Sequence, residues 1–227
     1  MIYSLRKQLT SELLGTFALV FAGTSAIVLN STGTITHVGI SLVFGLVVFS
    51  LISTLGDVSG AHLNPAVTIG FWVARRFPAT KVLPYIAAQL VGAILASLTV
   101  NLLFPHHPTL GATLPAGPPW QSWVLELLLT GGLMFVILSV STGAKEKGIT
   151  AGLAIGSVIA LEALFAGPFS GASMNPARSI GPALISGNLQ HLWVYLTAPV
   201  AGALLAVPTC RCVREENCCT TQKVIAA

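Results

Sequence analysis

The chain is short of charge. Asp, Glu, Lys and Arg make up 8% of its 227 residues, against roughly 25% in soluble domains. So few charges cannot cover a water-soluble globule, which excludes a cytosolic enzyme, a disordered regulator and a nucleic-acid-binding protein. Also missing are a G-x-S-G element and any pairing of a nucleophile with a His inside the apolar segments. That removes an intramembrane hydrolase. What remains is apolar, with 54% hydrophobic residues and a mean hydropathy of +0.83. This is the composition of an integral membrane protein.

A helical span needs about 20 apolar residues to cross about 30 Å of hydrocarbon. Six stretches qualify: Leu9 to Leu29, His37 to Leu55, Val82 to Phe104, Ser122 to Val140, Ile149 to Ala166 and His191 to Pro208. The first follows Arg6 and Lys7 as a signal peptide would, but its apolar run is too long and five more follow, so it is read as a retained helix. Lys and Arg accumulate in cytoplasmic loops. Here they are Arg6 and Lys7 before span one, Arg75, Arg76 and Lys81 between two and three, Lys145 and Lys147 between four and five, and Arg211, Arg214 and Lys223 in the tail. The opposite loops, Asn30 to Thr36 and Pro105 to Gln121, carry none. Both termini are therefore expected in the cytoplasm, and Arg178 alone breaks the pattern.

An internal repeat runs through the chain. Ser59 to Gly70 and Ser170 to Gly181 agree at eight of twelve positions, at an offset of 111. The likeness extends outward to Glu12-Leu13-Leu14-Gly15-Thr16 against Glu126-Leu127-Leu128-Leu129-Thr130, and to Gly92-Ala93 against Gly202-Ala203. Each half thus holds three spans and one copy of the unit. Three is odd, so the halves are inverted relative to each other. The expected division is residues 1–104 and 120–209 for the two repeats, within one domain of 1–209, and a tail of 210–227.

Each unit carries the signals of a helix start. Asn64 and Asn175 suit the N-cap, and Pro65 and Pro176 suit the first helical position, where a missing N–H costs nothing. The helix after Asn64 has room only to about Trp72, and that after Asn175 to about Gly187. At 1.5 Å per residue the first is on the order of 13 Å long, half a bilayer. Half-spanning helices entered through irregular Ser-Gly-Ala backbone are tolerated at membrane depth only where they line a wet cavity or pack inside protein.

At these residues the sequence resembles the aquaporin (major intrinsic protein) family, whose signature is a pair of Asn-Pro-Ala motifs. Both are intact, as Asn64-Pro65-Ala66 and Asn175-Pro176-Ala177, the second followed by Arg178. The likeness covers about Leu9 to Pro208. It implies an all-α membrane protein of the aquaporin fold, six transmembrane helices plus two half-helices in an inverted repeat. It also implies a homotetramer with one pore per subunit in a cell membrane. Facing helix N-termini would place positive dipole ends at the pore centre. Asn64 and Asn175 would offer N–H donors, and carbonyls at Gly60, Ala61, His62, Gly171 and Ser173 would offer acceptors. Simple helix capping by the two Asn residues is the plainer reading and is compatible. Arg178 matches the family's selectivity-filter arginine, which together with the half-helix dipoles is known there to exclude protons and cations. A snorkelling structural Arg is the alternative.

By the family's spacing, the other filter positions fall on Phe44, Ala163 and Ala172. Strict water channels have His at the position of Ala163, and glycerol channels a second aromatic at that of Ala172. This chain has neither, which most resembles the nodulin-26-like branch and its bacterial relatives. Ser179 and Ala183, by contrast, are of the water-channel type. The expectation is a passive channel for water and small uncharged solutes such as glycerol or metalloid hydroxides. The alternatives are a strict water channel and, in another class, a coupled secondary transporter, which also uses inverted repeats and broken helices. Neither a cofactor nor a metal site is expected.

Three intramembrane carboxylates need roles. Glu12 and Glu126 are related by the repeat and are expected to accept hydrogen bonds from the loops that carry the motifs, with a proton relay as the alternative. Glu162, beside Ala163, is expected to be buried and structural, bracing the loop near Arg178 or meeting a subunit interface, with filter tuning as the alternative. Asp57 is expected to serve the turn before Ser59. His62 suits either the cytoplasmic entrance or a packed core, and His106 and His107 an exposed outer loop, with pH sensing or metal binding as the alternative. The cysteines are Cys210, Cys212, Cys218 and Cys219, all in the tail. Reducing cytoplasm argues against structural disulfides there. The cluster suits a soft metal or metalloid, or lipidation, or silent thiols. None lies near the filter, so block by mercurials is not expected.

Overall fold

A computed structural model describes residues 3–141 and 149–213. Its eight helices run in chain order: α1 (Leu5–Asn30), α2 (His37–Ser59), α3 (Pro65–Val73), α4 (Ala79–Leu103), α5 (Pro119–Val140), α6 (Ile149–Ser170), α7 (Pro176–Ser186) and α8 (Leu192–Val213). Among the described residues, all but α3 and α7 are long and apolar enough to cross a membrane. The chain is a multi-pass membrane protein with an all-helical fold.

Packing obeys the repeat. α1 packs on α4 as α5 packs on α8, α2 meets α6, and the half-helices cross over so that α3 lies against α8 and α7 against α4. Lipid tails are as apolar as leucine, so close approach between small residues is what holds such helices together. Gly92 of α4 and Gly202 of α8 show this twice. A Cβ on Gly92 would collide with the Leu13 carbonyl, and one on Gly202 with the Leu127 carbonyl.

The short helices begin as their sequences dictate. Asn64 Oδ1 accepts the Ala66 N–H at 2.8 Å, and Asn175 Oδ1 accepts those of Ala177 and Arg178 at 3.0 and 3.3 Å. Pro65 and Pro176 open the first turns.

The last helix differs from expectation at its end. α8 continues to Val213, so Cys210 and Cys212 belong to its final turns. Cys212 is a free, exposed thiol. Cys210 is fully buried and disulfide-bonded, which differs from the expectation of reduced tail thiols. Cys218, Cys219, Lys145, Lys147, Arg214 and Lys223 lie outside the described residues.

Candidate functional site

Between the two halves runs a cavity of about 690 Å³. It extends from Asp57, Arg76 and Ser141, past His62, Asn64 and Asn175, to Arg178 and Phe44.

Two matching loops form its polar wall. Gly60, Ala61 and Leu63 have φ of +86°, +45° and +52°, and Gly171, Ala172 and Met174 repeat them at +85°, +40° and +53°. Left-handed backbone is uncommon for residues with a Cβ and persists only where surroundings over-determine it. Here the surroundings are carboxylates. Glu12 accepts the N–H groups of His62 and Leu63 at 2.9 and 2.7 Å. Glu126 accepts those of Ser173 and Met174, both at 2.8 Å. Each carboxylate thus takes two successive backbone donors that hydrocarbon could not satisfy.

A second pair completes the clamp. Ser59 Oγ accepts the Ala61 N–H and Ser170 Oγ the Ala172 N–H, each at 3.1 Å. Tyr85 donates to the Ser59 carbonyl at 3.0 Å, and Tyr195 to the Ser170 carbonyl at 2.6 Å. Tyr85 and Tyr195 stand at the same offset as Gly92 and Gly202, so extending the repeat search along α4 and α8 would have found them. Gln89, which donates to Glu12 at 2.8 Å and Thr68 at 3.0 Å, has no counterpart in the second half and left no such signal. Ser59, not Asp57, closes its turn: Asp57 instead borders the cavity with Tyr3 Oη at 3.5 Å.

The two motifs meet across the pseudo-twofold axis. Asn64 Nδ2 donates to the Met174 carbonyl at 2.7 Å, and Asn175 Nδ2 to the Leu63 carbonyl at 2.9 Å. A side-chain amide has two N–H donors, so each Asn keeps one. The carbonyls of Gly60, Ala61, His62, Ala172 and Ser173 receive no donor from the described residues. All five residues border the cavity, whereas Gly171 packs beside Thr113 and does not.

Phe44, Ala163, Ala172 and Arg178 all border the cavity. Arg178 is 1% exposed. Its Nη1 donates to the Gly111 carbonyl at 2.9 Å, and its guanidinium carbon lies 5.3 Å from the centre of the Phe44 ring. Nε and Nη2 have no hydrogen-bond partner among the described residues. Phe44 lies where a Cβ on Gly23 of α1 would stand, a dependence invisible in the sequence.

His62 is buried beside the cavity. It bonds Thr68 Oγ1 through Nδ1 at 3.2 Å and packs among Phe71, Phe77 and Tyr85. Glu162 is buried, as expected; its carboxylate lies against Gly132 of α5 and takes no hydrogen bond from either loop among the described residues, which leaves its loop-bracing role without support. Of the three carboxylates, Glu12 and Glu126 are the ones that take loop N–H groups among the described residues.

A helical bundle of inverted halves, broken at mid-depth by two half-helices along a cavity, defines a polytopic membrane protein built around a passage. The chain belongs to the major intrinsic protein family, whose model matches residues 2–208. It is 47% identical over 214 residues to "Aquaporin NIP1-1" of Oryza sativa subsp. japonica, covering 93% of this chain and 75% of that protein. It is 47% identical over 201 residues to "Nodulin-26" of Glycine max, covering 87% and 74%. Among solved structures it resembles the aquaglyceroporin from Plasmodium falciparum, with a TM-score of 0.81 and 28% identity over 90% of this chain and 95% of that one.

Proposed function

We propose that the chain is a passive channel for water and small uncharged solutes, glycerol and metalloid hydroxides among them, and that it excludes protons and ions. The observation that carries this reading is the pair of Asn residues at the cavity's middle, each with one N–H spent on the opposite loop and one left over. A passing oxygen accepts from the spare donors of Asn64 and Asn175, between the positive N-terminal ends of α3 and α7. Before and after, it donates to the carbonyls of Gly60, Ala61 and His62 on one side and of Ala172 and Ser173 on the other. Each hydrogen bond lost to bulk water is replaced in turn. A cation meets the two helix dipoles and the Arg178 charge instead.

Phe44, Ala163, Ala172 and Arg178 form the selectivity filter in this reading. Two alanines leave it wide, Phe44 makes one side apolar, and Nε and Nη2 of Arg178 serve the polar side of a solute. Glu12 and Glu126 act as scaffolds. In this reading the protein is a channel rather than an enzyme, which its family membership supports. The distribution of Lys and Arg supports cytoplasmic termini, and family membership supports a homotetramer in a plasma membrane.

Stopped-flow light scattering of proteoliposomes mixed with hyperosmotic glycerol tests this. The initial shrinkage reports water, and the later reswelling reports glycerol. Both are expected to be fast. Fast shrinkage without reswelling would mean a strict water channel. Uptake that depends on a proton or sodium gradient would overturn the channel reading altogether.

A further inference from the structure

α6 contains a proline near its end, Pro168, which has no N–H to give to the carbonyl one turn earlier, that of Leu164. A carbonyl left bare at membrane depth is costly. Here His37, the first residue of α2, supplies the missing donor: its Nε2 lies 2.8 Å from the Leu164 oxygen. Because the partner is a carbonyl, which only accepts, the imidazole must carry its proton on Nε2. The ring reaches this place only because Gly167 has no side chain, since a Cβ there would lie 2.9 Å from His37 Cε1. Three residues are thus fitted to one bond: Pro168 vacates the acceptor, Gly167 makes room, and His37 fills it.

The bond ties together the two helices that carry Phe44 and Ala163. Phe44 lies two turns along α2 from His37, on the same face, and Ala163 adjoins Leu164. Nearer the middle, α2 and α6 are in direct backbone contact, where a Cβ on Gly45 would lie 2.6 Å from the Gly156 carbonyl. The glycines set the approach of the two helices near the middle, and His37 adds a second tie toward the Phe44 and Ala163 end. We propose that His37 is a positioning residue for solute selection, holding Phe44 and Ala163 at a set separation by donating to the carbonyl that Pro168 frees. This rests on the channel reading above.

The experiment compares wild type, His37→Ala, Pro168→Ala and the double variant in proteoliposomes, with His37→Gln as the conservative replacement. Hyperosmotic glycerol yields the glycerol-to-water permeability ratio of each, and unfolding in detergent yields its midpoint. Loss of the tie in His37→Ala is expected to raise the ratio by about threefold or more. His37→Gln, whose amide reaches the same position, restores it. In the Pro168→Ala background Leu164 regains a donor from its own helix, so His37→Ala has little further effect. Should His37→Ala fail to fold, Gly167→Ala displaces the ring without removing it, and the same rise is expected. An unchanged ratio in a folded variant, or the same shift in both backgrounds, overturns the proposal while leaving the channel intact. Shifted midpoints with an unchanged ratio reduce His37 to a stabilising residue and also overturn it. Wild-type vesicles that shrink no faster than empty ones reject the channel reading itself, and this proposal with it.

Discussion

Asn64 and Asn175 hold each other's loops in place: the amide of each donates to the carbonyl of the residue just before the other, at 2.7 and 2.9 Å. The same side chains cap α3 and α7 through their oxygens. One residue type therefore starts the half-helix, fastens it to its symmetry mate and keeps one donor for the passage.

Replacing either Asn by Ala removes a cap, worth about 1 kcal/mol, and strips a buried carbonyl of its donor, worth about 1–3 kcal/mol. Unfolding in detergent should show each single variant destabilised by about 2–4 kcal/mol. The double variant should cost less than the sum, because the two bonds close one interface. Additive losses would show that the loops are held independently.

The carboxylates should separate into two kinds. Glu126→Gln places an NH2 group against a loop N–H that the carboxylate had accepted, and Glu12→Gln does the same in the other half. Each should lower stability by about 1–3 kcal/mol and reduce water flux. Glu162→Gln, at a buried site that takes no loop donor, should lower stability less than either of the other two. Unfolding midpoints of the three variants, measured side by side, decide this.

Ala163→His puts a bulky polar ring into the cavity beside Phe44, Ala172 and Arg178. Glycerol permeability should fall about tenfold or more, while water flux is largely kept. Reswelling after a glycerol shock is the readout. Equal loss of both fluxes would show that Ala163 does not set the solute cutoff.

Two glycine variants should fail for different reasons. Gly23→Ala collides with the ring of Phe44, which can swing into the cavity, so flux should drop with modest loss of stability. Gly202→Ala meets the Leu127 backbone, which cannot swing, and should cost about 1–3 kcal/mol. The ratio of flux lost to stability lost, measured on the same preparations, should therefore be high for Gly23→Ala and low for Gly202→Ala.

The sequence by itself determined the frame. Apolar run lengths set six spans, three per half forced the inversion, and Asn-Pro followed too soon by Arg75 and Pro78 or by Gly187 made α3 and α7 short. These are one-dimensional signals, because span length, helix caps and repeats depend only on neighbours along the chain. The tertiary structure decided how the halves engage. The amide of Asn64 is spent on a carbonyl 110 residues away, and His37 meets a proline-freed carbonyl 127 residues away. Phe44 needs the bare backbone of Gly23, and the Glu162 carboxylate lies against Gly132. No local pattern encodes these pairings. They arise when two inverted halves close on each other and every polar group at membrane depth must find its partner inside the protein, since the lipid offers none.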